Sequence, residues 1–263
     1  EHEVSLSSGR QVSRNLDRNK YEVKEIVIPK NSKFSLPGAT DVAFVAMHGP
    51  FGEDGVIQGF LETKGIKYTG SGIPASALTM NKLKTLEIFE KHDLLIAKRI
   101  VVNQDEWHKN KEDLTAKAEK FLSYPLIVKP CRAGSSVGVF SVKNKNGLAT
   151  AVNKSLKNDT LISLEEFIKG KEVTCGVLDE GNGQNAFALP PLEIIPKKAD
   201  FYDYTSKYAS GGSDHFIPKI STKVIKNIQN TALKAHNILG CSGMSRTDMI
   251  IREGKIYVLE TNT

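Results

Sequence analysis

With 263 residues, 40% of them hydrophobic and 25% charged, the chain has an ordinary globular composition and room for two or three compact domains. No window approaches the roughly 20 apolar residues that cross a bilayer, and the first residues carry no secretory signal pattern, so we expect no membrane span. The formal charge is +6, but acids and bases interleave along segments such as 109–120, which argues against a nucleic-acid-binding surface.

The cysteines limit the compartment and the kind of site. Cys131, Cys175 and Cys241 are too few and too far apart for a disulfide framework or a zinc site. They suit a reducing cytosol, so we expect a cytoplasmic protein. Burial is expected for Cys175 and Cys241, whereas inert packing and modest reactivity both stay open for Cys131, which is close to Lys129.

Apolar runs bounded by Gly, Pro or Asn alternate with segments of helical period, which predicts an α/β (α+β) chain. Helices are predicted at residues 4–16, 56–64, 76–92, 112–122, 148–156 and 222–239. Strands are predicted at residues 21–28, 41–47, 99–102, 126–130, 138–142, 161–166, 172–178 and 186–195, with an irregular stretch at 197–216 and a hairpin over 245–261. An α/β domain that opens with a helix lacks a first buried strand, and the chain stops soon after its last strand. We therefore expect both ends to be incomplete.

A loop rich in glycine and serine, Gly134-Ser-Ser-Val-Gly138, lies between two predicted strands. Small residues let backbone N–H groups approach a phosphate closely, and the hydroxyls of Ser135 and Ser136 add donors. Lys129, at the end of the preceding strand, would meet the phosphate charge. The spacing excludes a Walker loop and a dinucleotide fingerprint. A plain glycine-rich hairpin turn would have the same composition, so both interpretations stay open.

Charged residues cluster at one end of the predicted terminal hairpin. Because strand side chains alternate, Arg246 and Asp248 share a face, as do Glu260 and Asn262. If the hairpin turns about Gly254 with a three-residue loop, Asp248 lies opposite Glu260. Two facing carboxylates repel, and a hard divalent cation such as Mg²⁺ would remove the conflict. The alternative is an exposed charged end in which Arg246 pairs with the acids, but the clustering favours a metal site.

Taken in order, these segments resemble the D-alanine–D-alanine ligase family of ATP-grasp enzymes. The resemblance runs from Glu1-His-Glu-Val-Ser-Leu-Ser-Ser-Gly9 to Leu259-Glu-Thr-Asn-Thr263. Between them lie His48-Gly-Pro-Phe-Gly-Glu-Asp-Gly55, Tyr68-Thr-Gly-Ser-Gly72, Gly134-Ser-Ser-Val-Gly138, Phe201-Tyr-Asp-Tyr204 and Lys207-Tyr208. The resemblance implies an ATP-grasp fold in three parts. They are a Rossmann-like N-terminal substrate domain without its first strand (1–72), a central ATP-grasp subdomain (73–164), and a C-terminal catalytic subdomain without its last helix (165–263).

The implied reaction consumes ATP and two D-alanines. ATP phosphorylates the carboxylate of one D-alanine, and the amine of the second then displaces phosphate, giving a D-alanyl-D-alanine precursor of peptidoglycan. Two Mg²⁺ ions, or Mn²⁺ in their place, and a homodimer are also implied. A D-alanine–D-lactate or D-alanine–D-serine ligase and an inactive ATP-binding module remain alternatives. The pair Lys207-Tyr208 favours the dipeptide.

The resemblance also assigns roles to the residues that match family motifs. Those expected to be catalytic are Glu1, Ser135, Tyr208 and Arg246. Those expected to bind the amino-acid substrate are His48, Glu1 and Lys207. Those expected to bind ATP are Lys82, Lys129, Ser136, Glu165, Phe167, Ile168, Glu172 and Lys207. Those expected to ligate the metal are Asp248, Glu260 and Asn262.

Within these roles, Glu1 would hold the ammonium of the first D-alanine. Ser135 and Tyr208 would be linked to Glu1 by hydrogen bonds and would close the substrate site. Arg246 would stabilise the oxyanion of the tetrahedral intermediate. Lys207 and Tyr208 would lie on a mobile lid at 197–216, with Gly211-Gly212 as its hinge.

Two substitutions and one missing segment depart from the family pattern. Asn81 precedes Lys82 where the family more often has Asp, and Ala133 stands where members often carry an acid. The family continues past Asn262 with a Pro-Gly turn and a helix that holds the carboxylate of the second substrate. The sequence therefore predicts a ligase whose site is partly absent from the chain as written.

Overall fold

The computed structural model describes residues 2–29, 31, 34–134, 136–181, 184–196 and 213–263. The helices are α1 (His2–Asn15), α2 (Val56–Thr63), α3 (Ile73–Met80), α4 (Lys82–Lys91), α5 (Gln104–Phe121), α6 (Lys145–Ser155) and α7 (Thr222–Ile238). The strands are β1 (Val42–Ala43), β2 (Lys67–Tyr68), β3 (Arg99–Asn103), β4 (Leu126–Pro130), β5 (Phe140–Val142), β6 (Leu161–Glu166), β7 (Lys171–Leu178), β8 (Phe187–Ala188), β9 (Leu192–Pro196), β10 (Ser213–Phe216), β11 (Met244–Arg252) and β12 (Lys255–Asn262). Helix and sheet are mixed, as the α/β (α+β) prediction requires.

The first part of the chain is built around a short parallel pair of strands. β1 and β2 pair in parallel, with Val42 opposite Lys67, and α2 forms the crossover between them. Ile57 and Leu61 on α2 are buried, so one apolar stripe holds this helix in place.

The middle of the chain forms a four-stranded antiparallel sheet in the order β3-β6-β4-β5. Helices α5 and α6 pack on it, and the core between them contains Trp107, Leu126 and Leu148, all of them at most 1% exposed. Asn103 and Asn144 begin these helices, because each side chain accepts a hydrogen bond from a backbone N–H of the first turn.

The last part forms a second antiparallel sheet in the order β10-β9-β7-β11-β12, with β8 also paired to β7. One face carries Val173 and Met249 and packs against Phe89 of α4 and Ile228 of α7. Strand alternation then turns the polar residues of β7, β11 and β12 to the opposite face. That face carries the candidate site.

Several predicted elements differ from the structure. Residues 21–28 have a strand-like composition but lie outside any strand, and of residues 41–47 only Val42 and Ala43 pair. The predicted helix at 76–92 is two helices, because Asn81 leaves helical geometry and its side chain accepts from the N–H of Lys84. The predicted strand at 186–195 is divided into β8 and β9, and Ser213–Phe216 is a strand rather than irregular chain.

The terminal hairpin has the predicted register but not the predicted loop. Arg252 pairs with Lys255, so the loop has two residues, Glu253 and Gly254, both with positive φ. That loop alone would place Asp248 opposite Leu259. A bulge between Asp248 and Met249 leaves Leu259 without an opposite residue and restores the pair of Asp248 with Glu260.

Among the described residues, no helix combines the length and the apolar character needed to cross a membrane.

Candidate active site

The loop after β4 is tightly folded and held from outside. Gly138 has φ +75°, and a Cβ there would lie 2.9 Å from the ring of Pro130 and 2.6 Å from the side-chain nitrogen of Asn158. The carboxylate of Asp159 accepts the backbone N–H of Arg132 at 2.8 Å and also pairs with its guanidinium. Burial raises the pKa of the Asp159 carboxyl, but the hydrogen bonds from Arg132 and the N–H of Leu161 prevail and hold it below its ordinary value. Asp159 is therefore a charged anchor for this loop.

Two residues predicted to bind ATP form a buried pair in the four-stranded sheet. Lys129 on β4 lies with its Nζ 2.8 Å from Oε2 of Glu165 on β6, and both side chains are nearly inaccessible. The hydroxyl of Ser163 donates to the other oxygen of Glu165 at 2.9 Å. Phe167 and the buried Ile168 follow directly on the chain, with the N–H of Phe167 donating to the carbonyl of Pro125. The structure therefore brings four of the predicted ATP-binding residues to one end of β6.

The predicted metal residues meet on the polar face of the second sheet. Asp248 lies opposite Glu260, and Arg246 lies opposite Asn262. The guanidinium of Arg246 donates to both oxygens of Asp248, from Nε at 3.0 Å and from Nη2 at 2.9 Å. The amide nitrogen of Asn262 is 3.5 Å from Oδ2 of Asp248. This geometry is compatible with a metal site and with a charged end paired by Arg246, because Asp248 both accepts from Arg246 and lies opposite Glu260.

β7 contributes a residue that the sequence analysis missed. The Oγ1 of Thr174 donates to Oδ1 of Asp248 at 2.6 Å, across the directly paired position of the two strands. Glu172, predicted to contact the ribose, lies two residues earlier and therefore on the same face. A threonine in a strand is common, so its type alone gave no signal. The polar Glu172, two positions earlier on the same strand, was the available indication.

Lys82 connects the loop and the hairpin. This residue begins α4, and its backbone N–H donates to the carbonyl of Cys131 at 2.8 Å. Its Nζ donates to the carbonyl of Ala133 at 2.8 Å and lies 3.0 Å from Oε2 of Glu260. The candidate phosphate loop and the candidate metal hairpin are therefore within reach of one lysine side chain.

His48 is held by the first helix. Its Nε2 is 2.8 Å from the hydroxyl of Ser8, and its backbone N–H donates to the hydroxyl of Ser5 at 2.9 Å. Its Nδ1 is 3.8 Å from Glu53. These contacts fix the loop after β1 against α1, and a role of His48 in substrate binding stays a prediction.

Ser136 lies in the phosphate loop with φ +58°, in the left-handed region. The predicted residues Glu1, Ser135, Lys207 and Tyr208 lie outside the described residues, as do Gly211 and Gly212.

The donor set of the hairpin fits a hard cation. In the part of the chain that the structure describes, no three His, Cys, Asp or Glu side chains converge on one point. The predicted ligands Asp248, Glu260 and Asn262 would offer two carboxylates and one amide. Mg²⁺ is commonly bound by one or two carboxylates together with phosphate oxygens, so these residues suit it when a nucleotide is present.

The two antiparallel sheets, with Lys82 between a glycine-rich loop and an acidic hairpin, define the chain as an ATP-grasp enzyme. Family profiles described as D-ala D-ala ligase N-terminus and D-ala D-ala ligase C-terminus match residues 34–71 and 88–263. The chain therefore belongs to the D-alanine–D-alanine ligase family.

Individual relatives agree with this assignment. The chain is 40% identical to the D-alanine–D-alanine ligase of Geotalea uraniireducens over all of its own length and 81% of the relative's. It is 38% identical to D-alanine–D-alanine ligase B of Clostridium perfringens, over all of its own length and 83% of the relative's.

Solved structures are similar as well. A D-alanine–D-alanine ligase structure from Bacillus anthracis has a TM-score of 0.83 and 31% identity, over 99% of this chain and 82% of that chain. The structure of the VanG D-Ala:D-Ser ligase from Enterococcus faecalis has a TM-score of 0.74 and 35% identity, over 85% of this chain and 63% of that chain.

Proposed function

We propose that this chain joins two molecules of D-alanine into D-alanyl-D-alanine, with conversion of ATP to ADP and phosphate. The observation that carries the proposal is the position of Lys82, which contacts both the glycine-rich loop and the acidic hairpin. A nucleotide phosphate held between these two elements would have backbone and lysine donors on one side and oxygen ligands for a cation on the other. The names of the relatives support D-alanine as the substrate.

The first chemical step is phosphoryl transfer. A carboxylate oxygen of the first D-alanine attacks the terminal phosphorus of ATP, the bond to the leaving oxygen of ADP breaks, and a D-alanyl phosphate forms. Lys82 and Lys129 offset the charge that spreads over the phosphoryl oxygens. Mg²⁺ held by Asp248, Glu260 and Asn262 would neutralise phosphate charge. Glu165, Phe167, Ile168 and Glu172 are proposed to bind the nucleoside.

The second step is acyl transfer. The uncharged amine of the second D-alanine attacks the carbonyl carbon of the acyl phosphate, the resulting oxyanion collapses, phosphate leaves, and the nitrogen loses a proton to the departing phosphate or to solvent. Arg246 is proposed to donate to that oxyanion, which a guanidinium with several N–H donors can do while also contacting phosphate. Its side chain is half exposed, so it can reach beyond Asp248.

Positioning of the two amino acids is proposed for residues that match family motifs. Glu1 holds the ammonium of the first D-alanine, His48 lies in its site, and Ser135, Lys207 and Tyr208 close the site around the reacting groups. A D-serine second substrate is the alternative with a specific observation behind it, since one similar structure is a D-Ala:D-Ser ligase. Lys207-Tyr208 favours D-alanine.

Three finer proposals accompany the activity. The compartment is the cytoplasm, where ATP is supplied. The assembly is a homodimer, which light scattering would show as a mass near twice that of the chain. The division of the chain is 1–72, 73–164 and 165–263, with limited proteolysis between these parts as the check.

The proposal is tested with the full-length protein, by the product formed from ATP, Mg²⁺ and D-alanine. We expect phosphate release that requires D-alanine, and D-alanyl-D-alanine as the product by mass spectrometry. Arg246→Ala should lower the turnover by about 10²–10³-fold, the usual effect of removing an oxyanion donor. Arg252→Ala is the matched control, because Arg252 lies exposed at the far end of the same strand.

Two outcomes would contradict the assignment. ATP binding without D-alanine-dependent phosphate release would exclude the ligase, and a mixed product with D-serine or D-lactate in competition with D-alanine would change the second substrate. Equal effects of Arg246→Ala and Arg252→Ala would remove Arg246 from the chemical step.

A further inference from the structure

Asp248 is the most enclosed of the residues proposed to hold the metal, at 4% exposed. Its two oxygens have different surroundings. Oδ1 accepts from Thr174 at 2.6 Å and from Nε of Arg246 at 3.0 Å, whereas Oδ2 accepts from Nη2 of Arg246 at 2.9 Å and faces Asn262. Oδ2 is therefore the oxygen on the side of β12, where Glu260 and Asn262 stand.

The two donors to Asp248 differ in mobility. Arg246 reaches the carboxylate with a long side chain that is half exposed. Thr174 is 9% exposed and stands on β7, between β9 and β11, in the directly paired position. A β-branched residue on a strand has a restricted χ1, so its hydroxyl is fixed relative to the backbone.

The two donors also differ in charge. Arg246 brings a positive charge that competes with a cation for the carboxylate. The hydroxyl of Thr174 is neutral, so it orients Asp248 and leaves its full negative charge available. When Arg246 turns to phosphate, a fixed neutral donor on Oδ1 is what keeps the carboxylate in place.

We infer that Thr174 is a positioning residue for the divalent cation. It holds Oδ1 of Asp248 so that Oδ2 is presented toward Glu260 and Asn262. The inference rests on the proposed function in taking a metal–nucleotide complex as the ligand of this face. It does not depend on which amino acids are joined.

The test is the affinity for Mn²⁺ in the presence of ADP, measured by electron paramagnetic resonance of free Mn²⁺, which needs no turnover. Thr174→Val keeps the shape and removes the donor, and Thr174→Ser keeps the donor. We expect Thr174→Val to weaken Mn²⁺ binding by about 10-fold or more, the usual size for a residue that orients a metal ligand. Thr174→Ser keeps the donor but loses the restricted χ1, so its loss should be clearly smaller than that of Thr174→Val. Turnover of Thr174→Val should recover at saturating Mn²⁺, so that the metal requirement rises while kcat is kept.

Thr247→Val is the matched control. Thr247 is the neighbour of Asp248 on β11, but its hydroxyl lies 3.0 Å from that of Thr261 on the opposite face. The substitution removes a buried hydroxyl from the same sheet without touching Asp248, so Mn²⁺ affinity should stay unchanged. If Thr174→Val does not fold, Thr174→Ala compared with Thr174→Ser isolates the hydroxyl in the same way.

Equal losses in Thr174→Val, Thr174→Ser and Thr247→Val would mean a general packing effect and overturn the inference, as would wild-type affinity in Thr174→Val. Absence of ADP-dependent Mn²⁺ binding by the unsubstituted chain would overturn the metal site and the role of Thr174 with it. Failure of the ligase proposal looks different: Mn²⁺ and ADP bind, the Thr174 variants differ as expected, and no D-alanyl-D-alanine forms.

Discussion

At the scale of single residues, each of three basic side chains in the candidate site forms an ion pair with an acidic side chain. Lys129 pairs with Glu165, Lys82 with Glu260, and Arg246 with Asp248. Removing charges from water is costly unless they are paired, and these pairs are enclosed to different degrees. The enclosed Lys129–Glu165 pair suits a fixed part of the site, and the half-exposed Arg246 suits a part that changes partner.

The cysteine beside this site should be unreactive. Burial first, and then the charges of Asp159 and Glu165, raise the pKa of the Cys131 thiol to about 12, although Lys129 and Lys82 act in the opposite direction. Of the two readings that the sequence left open for Cys131, inert packing is therefore the one that the structure supports. Burial raises the pKa values of Cys175 and Cys241 to about 11.

This predicts slow thiol modification of the folded chain. At pH 8 a thiol of pKa about 12 is roughly 1000-fold less ionised than one with its ordinary value of 9.0, and only the thiolate reacts. Ellman's reagent should therefore titrate the three thiols rapidly in guanidinium and slowly in the native protein. Rapid native labelling that mass spectrometry assigns to Cys131 would contradict it.

The raised thiol pKa values also make the stability of the fold depend on pH. A thiol whose folded pKa lies above its unfolded value favours the folded state at pH values below about 9. That contribution is lost as the pH rises from about 9 toward 12, because the unfolded chain ionises first. The free energy of unfolding, measured with urea, should fall over this window and not between pH 7 and 8.

At the scale of elements, the sequence predicted most helices and strands, and the differences have physical causes. Val23, Ile26 and Val27 are typical strand residues, yet residues 21–28 form no strand, because a strand also needs a partner and local composition does not supply one. The break between α3 and α4 depends on Asn81, whose capping hydrogen bond competes with a continuous helix.

The hairpin shows how a correct register can come from an incorrect loop. Alternation predicted that Asp248 faces Glu260, and this is confirmed. The predicted three-residue loop is wrong, since a two-residue loop and the bulge at Leu259 together give the same register. A bulge leaves no sequence signal of its own here. The sequence could therefore predict the pairing of Asp248 with Glu260, but not the loop length and the bulge that together produce it.

The phosphate loop gives a prediction at this scale, because Gly138 is restricted in two ways. An L-residue at its φ of +75° costs about 1–2 kcal/mol, and overpacking against the ring of Pro130 adds about 1–3 kcal/mol. Gly138→Ala should therefore lower the free energy of unfolding by more than φ strain alone, and weaken nucleotide binding. Urea denaturation and nucleotide titration measure the two effects.

Gly65→Ala separates the two terms. Gly65 also has a positive φ, +66°, but a Cβ there meets no atom within 4 Å. Gly65→Ala should lower the free energy of unfolding only by the cost of a positive φ and leave nucleotide affinity unchanged. If both variants lost the same stability and the same affinity, the close packing of the phosphate loop would have no role.

At the scale of the whole molecule, the site exists only where separate parts of the chain meet. The N-terminal part touches the chain just before β11, where the Oγ of Ser71 accepts the N–H of Ser242. α4 packs on the second sheet through Leu86 and Phe89, while the N–H of Lys82 at its start bonds to the loop of the first sheet. The sequence could predict each charged residue singly, but not that Lys82 would lie against Glu260, because proximity over such a separation depends on the packed fold.

Lys82 therefore carries the prediction that belongs to this scale. A lysine in the first turn of a helix is locally unfavourable, because the helix dipole is positive there, and at Lys82 the contacts with Ala133 and Glu260 offset this effect. Lys82→Met keeps the aliphatic stem and removes the contacts with Ala133 and Glu260. We expect a loss of about 1.5–3 kcal/mol in the free energy of unfolding, the usual range for a hydrogen bond to a charged group. Nucleotide affinity should fall by about 10-fold or more, since a lysine proposed to bind phosphate is lost.

The control for this variant lies on the same turn of the same helix. Lys84 pairs with Glu87 at the surface, and its side chain is well exposed, so Lys84→Met should change the free energy of unfolding by less than about 1 kcal/mol and leave nucleotide affinity unchanged. Calorimetric titration with ADP and Mg²⁺, at a temperature where all variants are folded, separates binding from stability. A purely structural Lys82 would lower the free energy of unfolding and leave the affinity for ADP intact. If Lys82 joins the phosphate loop to the acidic hairpin, Lys82→Met should lower both the free energy of unfolding and the affinity for ADP, and Lys84→Met should lower neither.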